Sequence, residues 1–184
     1  MTRARRCVVL GVSGSVAVYK ACEIASALTQ KGYRVPVALT PSAAKMVTPV
    51  LFRAITGEAA CADEFAPDAP ASMTHILFAD AAEVFLVAPA SADVIARLAL
   101  GLADDLVATT ALALKPEAKK LIAPAMNARM LANPAVQQHL KTLRDRGWQI
   151  VDPEEGHLAC GVEGAGRLAD PAKIVAVVER ALGR

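Results

Sequence analysis

The fold of this 184-residue chain is decided near its start, by the stretch Cys7-Val-Val-Leu-Gly-Val-Ser-Gly-Ser15. A short apolar run that ends in glycine and serine is typical of a buried strand followed by a tight turn. Over 16–31 the apolar residues then recur with helical spacing, and Gly32 ends the pattern. This region therefore predicts a strand, a turn and a helix in direct succession.

The same alternation continues along the chain. Further strands are predicted at 35–39, 84–88, 120–123 and 149–151. Helical patterns are found at 51–56, 76–80, 92–100, 105–114, 134–146 and 171–182. Strands that alternate with helices pair in parallel through right-handed crossovers. The sequence therefore predicts an α/β fold, a single-domain Rossmann-like (flavodoxin-like) doubly wound parallel sheet over 1–184 with helices on both faces.

Two stretches interrupt the alternation. Residues 59–73 contain prolines with small and acidic residues, and they are interpreted as the most loop-like part of the chain. Residues 156–167 hold four glycines and a single thiol. A segment so rich in glycine is interpreted as a mobile flap over an active site, and a plain flexible connection is the alternative.

Composition and charge exclude several classes of function. The formal net charge is only +2, from 20 basic and 18 acidic residues, which gives no basic footprint for nucleic acid or an anionic membrane surface. No apolar run approaches the ~20 residues that a membrane-spanning helix needs. The four cysteines show no CxxC pair and no metal-ligand spacing, so we expect free thiols, no metal site and a cytoplasmic location.

A candidate phosphate loop follows the first predicted strand, at the sheet edge where ligands bind in such folds. Gly14 lets the backbone approach an anion closely, while Ser13 and Ser15 add hydroxyl donors at a helix start, where the helix dipole favours a phosphate. A plain tight turn is the alternative. Because Val16 replaces a glycine of the dinucleotide motif and no acidic residue ends the second strand, a mononucleotide fits better than a dinucleotide.

A second candidate phosphate loop follows the strand predicted at 84–88. Residues 89–93 combine small side chains with a hydroxyl at Ser91 and a carboxylate at Asp93. An ordinary helix N-cap by either residue explains the same pattern equally well.

Three further residues carry side chains suited to chemistry. Asn127 follows a buried strand and can bind a polar ligand such as a carboxylate, or it can cap a helix beside core methionines. His75 stands at a predicted helix start and can move protons near neutral pH, although a lone histidine there is more often structural. Arg167, at the end of the glycine-rich stretch, is able to pair with an anionic group of a substrate.

Five motifs occur together and in register from Val8 to about Val178. They are Gly11-Val-Ser-Gly-Ser-Val-Ala-Val-Tyr-Lys20, His75, Ala88-Pro-Ala-Ser-Ala-Asp93, Pro124-Ala-Met-Asn-Ala-Arg-Met130, and Leu158-Ala-Cys-Gly161 continuing to Gly164-Ala-Gly-Arg167. Each motif alone is weak, but the set resembles the homo-oligomeric flavin-containing cysteine decarboxylases, and most closely the members that act on phosphopantothenoylcysteine.

The resemblance implies an FMN-dependent oxidative decarboxylation of 4'-phosphopantothenoylcysteine to 4'-phosphopantetheine in coenzyme A biosynthesis. It implies that His75 is the base or proton shuttle, that Asn127 binds the substrate carboxylate and that Cys160 is the acid that completes the reduction. Met130 and Arg167 are expected beside Asn127 in the substrate site. The residues expected to line the FMN are Ser13, Gly14, Ser15, Thr40, Ser42, Ala90, Ser91 and Asp93.

The resemblance also implies a homotrimer, or a dodecamer built from trimers, with FMN held between subunits. The phosphopantothenate–cysteine ligase that makes the substrate is the expected protein partner. Leu131 and Leu168 depart from the family pattern at the substrate pocket, and Asp93 stands where asparagine is common. An enzyme that decarboxylates the C-terminal cysteine of a peptide is therefore the nearest alternative, followed by a non-catalytic regulatory flavoprotein and a flavin prenyltransferase.

Overall fold

The computed structural model describes residues 5–66, 69–157 and 163–183. The strands in these ranges are β1 Val8–Val12, β2 Val37–Leu39, β3 Ala60–Cys61, β4 Val84–Ala90, β5 Lys119–Pro124, β6 Trp148–Ile150, β7 Glu154–His157 and β8 Glu163–Arg167. The first six form one sheet in the order β3-β2-β1-β4-β5-β6, and every pair in it is parallel. Strands β7 and β8 form a separate antiparallel pair.

The strand order confirms the predicted doubly wound α/β fold. Without the two-residue edge strand β3 the order is that of flavodoxin, and with β3 it is the Rossmann order. In both cases β1 pairs with β2 on one side and with β4 on the other, so the direction of winding reverses between β1 and β4. Ligands of such sheets bind at this switch point, beyond the carboxyl ends of the strands.

Helices cover both faces of the sheet. They are α1 Val18–Gln30, α2 Pro41–Ala44, α3 Pro49–Thr56, α4 Thr74–Ala81, α5 Ala92–Leu100, α6 Leu106–Ala113, α7 Ala128–Ala132, α8 Pro134–Asp145 and α9 Pro171–Ala181. Within the described ranges, none of them is long and apolar enough to cross a membrane.

The core is divided into two halves by the sheet, because successive side chains of a strand point to opposite faces. In β1, Val8 and Leu10 pack on one face with α1, α3 and α9, whereas Val9 packs on the other with α4, α5, α6 and α8. All seven residues of β4 are buried. Strands buried on both faces read as continuous apolar runs, which is why β1 and β4 are prominent in the sequence.

The glycine-rich stretch contains the hairpin β7–β8. Its pairing extends from Glu154 and Arg167 to His157 and Glu163. The prediction of a continuous loop over 156–167 is therefore wrong for the described part of this stretch. Residues 158–162, which include Cys160, lie outside the described residues.

A backbone contact fixes the base of the hairpin. Met126 N donates to Gly166 O at 3.0 Å, and a Cβ added to Gly166 would lie 2.2 Å from Met126 O. Gly166 also has φ +122°, a conformation that residues with a Cβ rarely adopt. Leu168, two residues further along the chain, is buried in the core. Only glycine at this position permits so close an approach of the two backbones.

The stretch 59–73 also departs from its prediction, since it contains β3. This strand pairs with β2 through Val37–Ala60 and Ala38–Cys61. Two residues are too few to produce a recognisable alternation in the sequence.

Replacing Gly166 with alanine is expected to detach the base of the hairpin, because the added Cβ would overlap Met126 O. Gly57→Ala is the matched control, since Gly57 also has a positive φ, +67°, but no heavy atom within 4 Å of the Cβ position. We expect Gly57→Ala to lower the free energy of unfolding by about 1 kcal/mol, and Gly166→Ala to lower it by at least about 2 kcal/mol more. Chemical denaturation measures both losses. Equal losses would show that the contact with Met126 does not hold the hairpin.

Candidate functional site

A cavity of about 400 Å³ opens at the carboxyl ends of β1, β4 and β5, at the switch point of the sheet. Its volume lies within the ~300–1,000 Å³ typical of small-molecule sites. The cavity is lined by Gly14, Ser15, Val16, Ala17, Tyr19, Lys20, Ser91, Ala92, Ala125, Met126, Asn127, Met130, Gly166, Arg167 and Leu168. Six of the predicted site residues are thus brought together, namely Gly14, Ser15, Ser91, Asn127, Met130 and Arg167.

Ser13 joins two loops of the site without lining the cavity. Its Oγ donates to Pro89 O at 2.8 Å and accepts from Ser91 N at 2.7 Å. The residue is 1% exposed. Its hydroxyl therefore holds the loop after β1 against the loop after β4, and its predicted contact with a cofactor stays a prediction.

Gly14 lies where the loop after β1 touches the short helix α2. A Cβ added to Gly14 would lie 2.6 Å from Cβ of Ser42, so this packing requires glycine here. Ser42 itself is exposed and does not line the cavity. Ser15 Oγ donates to Ala125 O at 3.3 Å and so connects the first loop to the loop after β5.

Ser91 both lies at the cavity and caps a helix, the two roles predicted as alternatives. It lines the cavity, and its Oγ accepts from Val94 N at 3.4 Å as the N-cap of α5. Asp93 does not line the cavity, because its carboxylate accepts from Arg97 Nε at 2.8 Å. Hydrogen bonds to Asp104 and Asp93 raise the pKa of the Arg97 guanidinium.

Two other predicted cofactor residues lie outside the lining. Thr40 Oγ1 accepts from Ala43 N at 3.2 Å and caps α2. Ala90 is buried at the end of β4, where its carbonyl accepts from Ala125 N at 3.0 Å. Both residues shape the sheet edge that the cavity adjoins, and their direct contact with a cofactor stays a prediction.

Asn127 and Met130 occupy the loop and the first turn after β5. Asn127 Oδ1 accepts from Arg129 N at 2.9 Å, so the amide is the N-cap of α7 and is oriented by it. The same side chain lines the cavity together with Met126 and Met130. The capping and the ligand-binding interpretations of Asn127 are therefore compatible.

The charge of the cavity is one-sided. Among the residues that the structure describes, Lys20 and Arg167 are the two cationic residues of the lining, and none of the lining residues is acidic. Lys20 is only 9% exposed, and within the described ranges its ammonium group makes no ion pair. A cation that lines a cavity and has little other exposure favours an anionic ligand there.

Lys20 was not predicted as a site residue. It lies on the buried stripe of α1 together with Ala21, Ile24 and Leu28. A lysine at an apolar position of an amphipathic helix is the sequence signal that could have identified it.

His75 does not line this cavity. It lies near the start of α4, where its Nδ1 is in hydrogen-bond contact with Oε2 of Glu64. Apolar side chains around it are exposed, and these are Phe65, Met73, Ile76 and Leu77. The third predicted catalytic residue, Cys160, lies outside the described residues, between β7 and β8 in the sequence.

The chain resembles a bifunctional protein in its sequence. It is 45% identical over 175 residues to the coenzyme A biosynthesis bifunctional protein CoaBC of Bacillus subtilis. This match covers 95% of the chain but only 43% of the relative. The chain therefore spans less than half the length of the curated relatives first matched.

Solved structures match the chain over almost its whole length. A PPC decarboxylase variant complexed with pantothenoylaminoethenethiol superposes with a TM-score of 0.83 at 27% identity, covering 98% of this chain and 100% of that one. The FMN-dependent cysteine decarboxylase SpaF superposes with a TM-score of 0.80 at 30% identity, covering 97% and 98% of the two chains. The family model described as Flavoprotein matches residues 1–183. Since that match includes every loop that forms the cavity, the chain belongs to the Flavoprotein family.

Proposed function

We propose that this chain catalyses the FMN-dependent decarboxylation of 4'-phosphopantothenoylcysteine to 4'-phosphopantetheine, a carboxy-lyase step of coenzyme A biosynthesis in the cytoplasm. The name of the Bacillus subtilis relative and the description of the PPC decarboxylase structure support this step. The Bacillus subtilis relative is named a bifunctional protein, which also supports a ligase of the same pathway as a partner.

The one-sided charge of the cavity is the observation that carries the proposal. Lys20 and Arg167 line it, and no residue in the described part of the lining is acidic. FMN and phosphopantothenoylcysteine together bring two phosphates and one carboxylate, which match these cations. A neutral or cationic ligand would leave Lys20 without a counter-charge in the cavity.

The residues present fit FMN. Gly14, Ser15 and Ser91 lie before the first turns of α1 and α5, where backbone N–H groups and the helix dipole favour a phosphate. Tyr19 and Met130 offer apolar surface for a planar ring. When bound, FMN would supply reversible hydride acceptance, which oxidises the thiol-bearing carbon of the substrate so that the electrons released with CO₂ have an acceptor within the substrate itself. The FMN dependence stated for SpaF supports FMN over other flavins.

The chain's own residues bind the substrate and move its protons. The Asn127 amide, oriented by Arg129 N, is suited to bind the substrate carboxylate, and Lys20 and Arg167 are suited to bind its phosphate. Cys160 follows β7 in the sequence, and the β7–β8 pair borders the cavity at Gly166. That position in the chain supports its role as the acid that delivers a proton in the final reduction.

His75 supports a site that is shared between subunits. Because it does not line the cavity of its own chain, it can serve as proton shuttle only at the cavity of a second copy. The exposed apolar side chains beside it suit a subunit interface, with Phe65 86% and Met73 58% exposed. We infer a homotrimer, or a dodecamer built from trimers.

The purified protein is expected to be yellow, to release FMN and to form the thiol product from phosphopantothenoylcysteine. Visible absorbance, mass analysis of the chromophore and product formation check these points. A peptide that ends in cysteine is the competing substrate, and a higher kcat/KM for it would support the peptide decarboxylase instead. FMN uptake without any turnover would support a regulatory flavoprotein, and a colourless protein that takes up no FMN would contradict the proposal outright.

Lys20→Gln is expected to lower kcat/KM for the phosphorylated substrate by about tenfold to a hundredfold, because one charge-assisted hydrogen bond is lost. Its effect on dephosphorylated pantothenoylcysteine should be small. Lys20→Arg, which keeps the charge, should retain most of the activity. Lys45→Gln, which removes an exposed lysine outside the cavity, is the control. Equal losses on both substrates would contradict a contact between Lys20 and the substrate phosphate.

Two inactive variants are expected to complement each other if the site is shared. His75→Asn and Cys160→Ser should each form little thiol product as pure oligomers. Mixed oligomers, made by co-expression, should regain part of the activity, because some sites then combine His75 of one copy with Cys160 of another. The absence of any recovery in verified mixed oligomers would contradict a shared site.

A further inference from the structure

Glu64 contacts the imidazole that the proposed mechanism uses. Its Oε2 is in hydrogen-bond contact with His75 Nδ1, and the two side chains are only 16% and 23% exposed. His75 is itself presented by a fixed backbone, since the preceding residue, Thr74, is fully buried and donates through Oγ1 to Ala71 O at 2.9 Å. Neither the sequence motifs nor the cavity assigns a role to Glu64.

The turn that carries Glu64 is also held in place. Asp63 Oδ1 accepts from Phe65 N at 2.9 Å, and Cys61 Sγ donates to Asp63 O at 3.0 Å. The turn is thereby tied to the end of β3. Contact between Glu64 and His75 thus joins two positioned segments, which distinguishes it from an exposed ion pair of two mobile side chains.

The chemistry of the pair follows from the atom that Glu64 contacts. A carboxylate is an acceptor, so its contact at Nδ1 places the ring proton of the neutral imidazole on Nδ1 and leaves Nε2 to accept a proton. We propose that Glu64 is a positioning residue for His75, which holds the ring through Nδ1–H so that Nε2 exchanges the proton with the substrate. This inference rests on the proposed function for the role of His75.

Variants of Glu64 test the inference in the FMN-loaded enzyme. Glu64→Ala should lower kcat by about tenfold to a hundredfold and leave KM nearly unchanged, because the ring is misoriented while the cavity is intact. Glu64→Gln should lie between, since its amide oxygen still accepts from Nδ1–H but carries no charge. Asp63→Asn is the matched control, because it removes the adjacent carboxylate and keeps the acceptor for Phe65 N. Equal kcat in Glu64→Ala and Asp63→Asn would overturn the inference.

A second measurement does not depend on activity. Nitrogen-15 NMR of labelled histidine rings, at a pH about two units above the ordinary imidazole pKa of ~6.5, reports which nitrogen carries the proton. The His75 signals are assigned by their loss in His75→Asn. We expect the Nδ1–H form in the wild type and in Asp63→Asn, and a mixture with the Nε2–H form in Glu64→Ala. An Nε2–H form in the wild type, or no change in Glu64→Ala, would overturn the inference.

The two measurements separate this inference from the proposed function. If the wild type decarboxylated neither cysteine substrate, or if His75→Asn stayed fully active, the proposed function or the role of His75 would be contradicted. The ring tautomer would then still decide whether Glu64 holds His75.

Discussion

One buried hydroxyl, that of Ser13, connects the two loops between which the cavity opens. It donates to the carbonyl of Pro89 and accepts from the N–H of Ser91, so it satisfies two backbone groups of a loop that leaves the sheet. A buried polar group that loses its partner destabilises a protein by about 1–3 kcal/mol, which is more than an average hydrogen bond contributes to stability. From this connection the network continues to the third loop, through Ser15 Oγ and Ala125 O.

The central strands could be predicted because the sheet is covered on both faces. β1 and β4 consist almost entirely of buried apolar residues, and such runs are visible in a single sequence. β3 could not be predicted, since Ala60–Cys61 is too short to carry a pattern. The hairpin β7–β8 could not be predicted for a different reason. Its glycines indicate flexibility in isolation, yet at Gly166 the missing Cβ permits a tertiary contact that orders the backbone.

The position of the site in the fold could be predicted more fully than the residues that line it. Parallel topology brings the ends of β1, β4 and β5 to one edge, so the loops that follow them had to meet. Which polar side chains face the cavity depends on local competition for hydrogen bonds, and no sequence pattern reports its outcome. Thr40 is engaged as a helix cap and Asp93 by Arg97, whereas Lys20 enters the cavity from a helix face that should be apolar.

The attachment of the hairpin has an evolutionary implication. Its base is held by main-chain atoms of Met126 and Gly166, which persist under substitutions other than proline at 126 or any residue with a side chain at 166. The residues beyond that base can consequently diversify without loosening the anchor. A scaffold with this property can acquire new substrate preferences by changes at the far end of two strands, while the chemistry at the sheet edge is inherited unaltered.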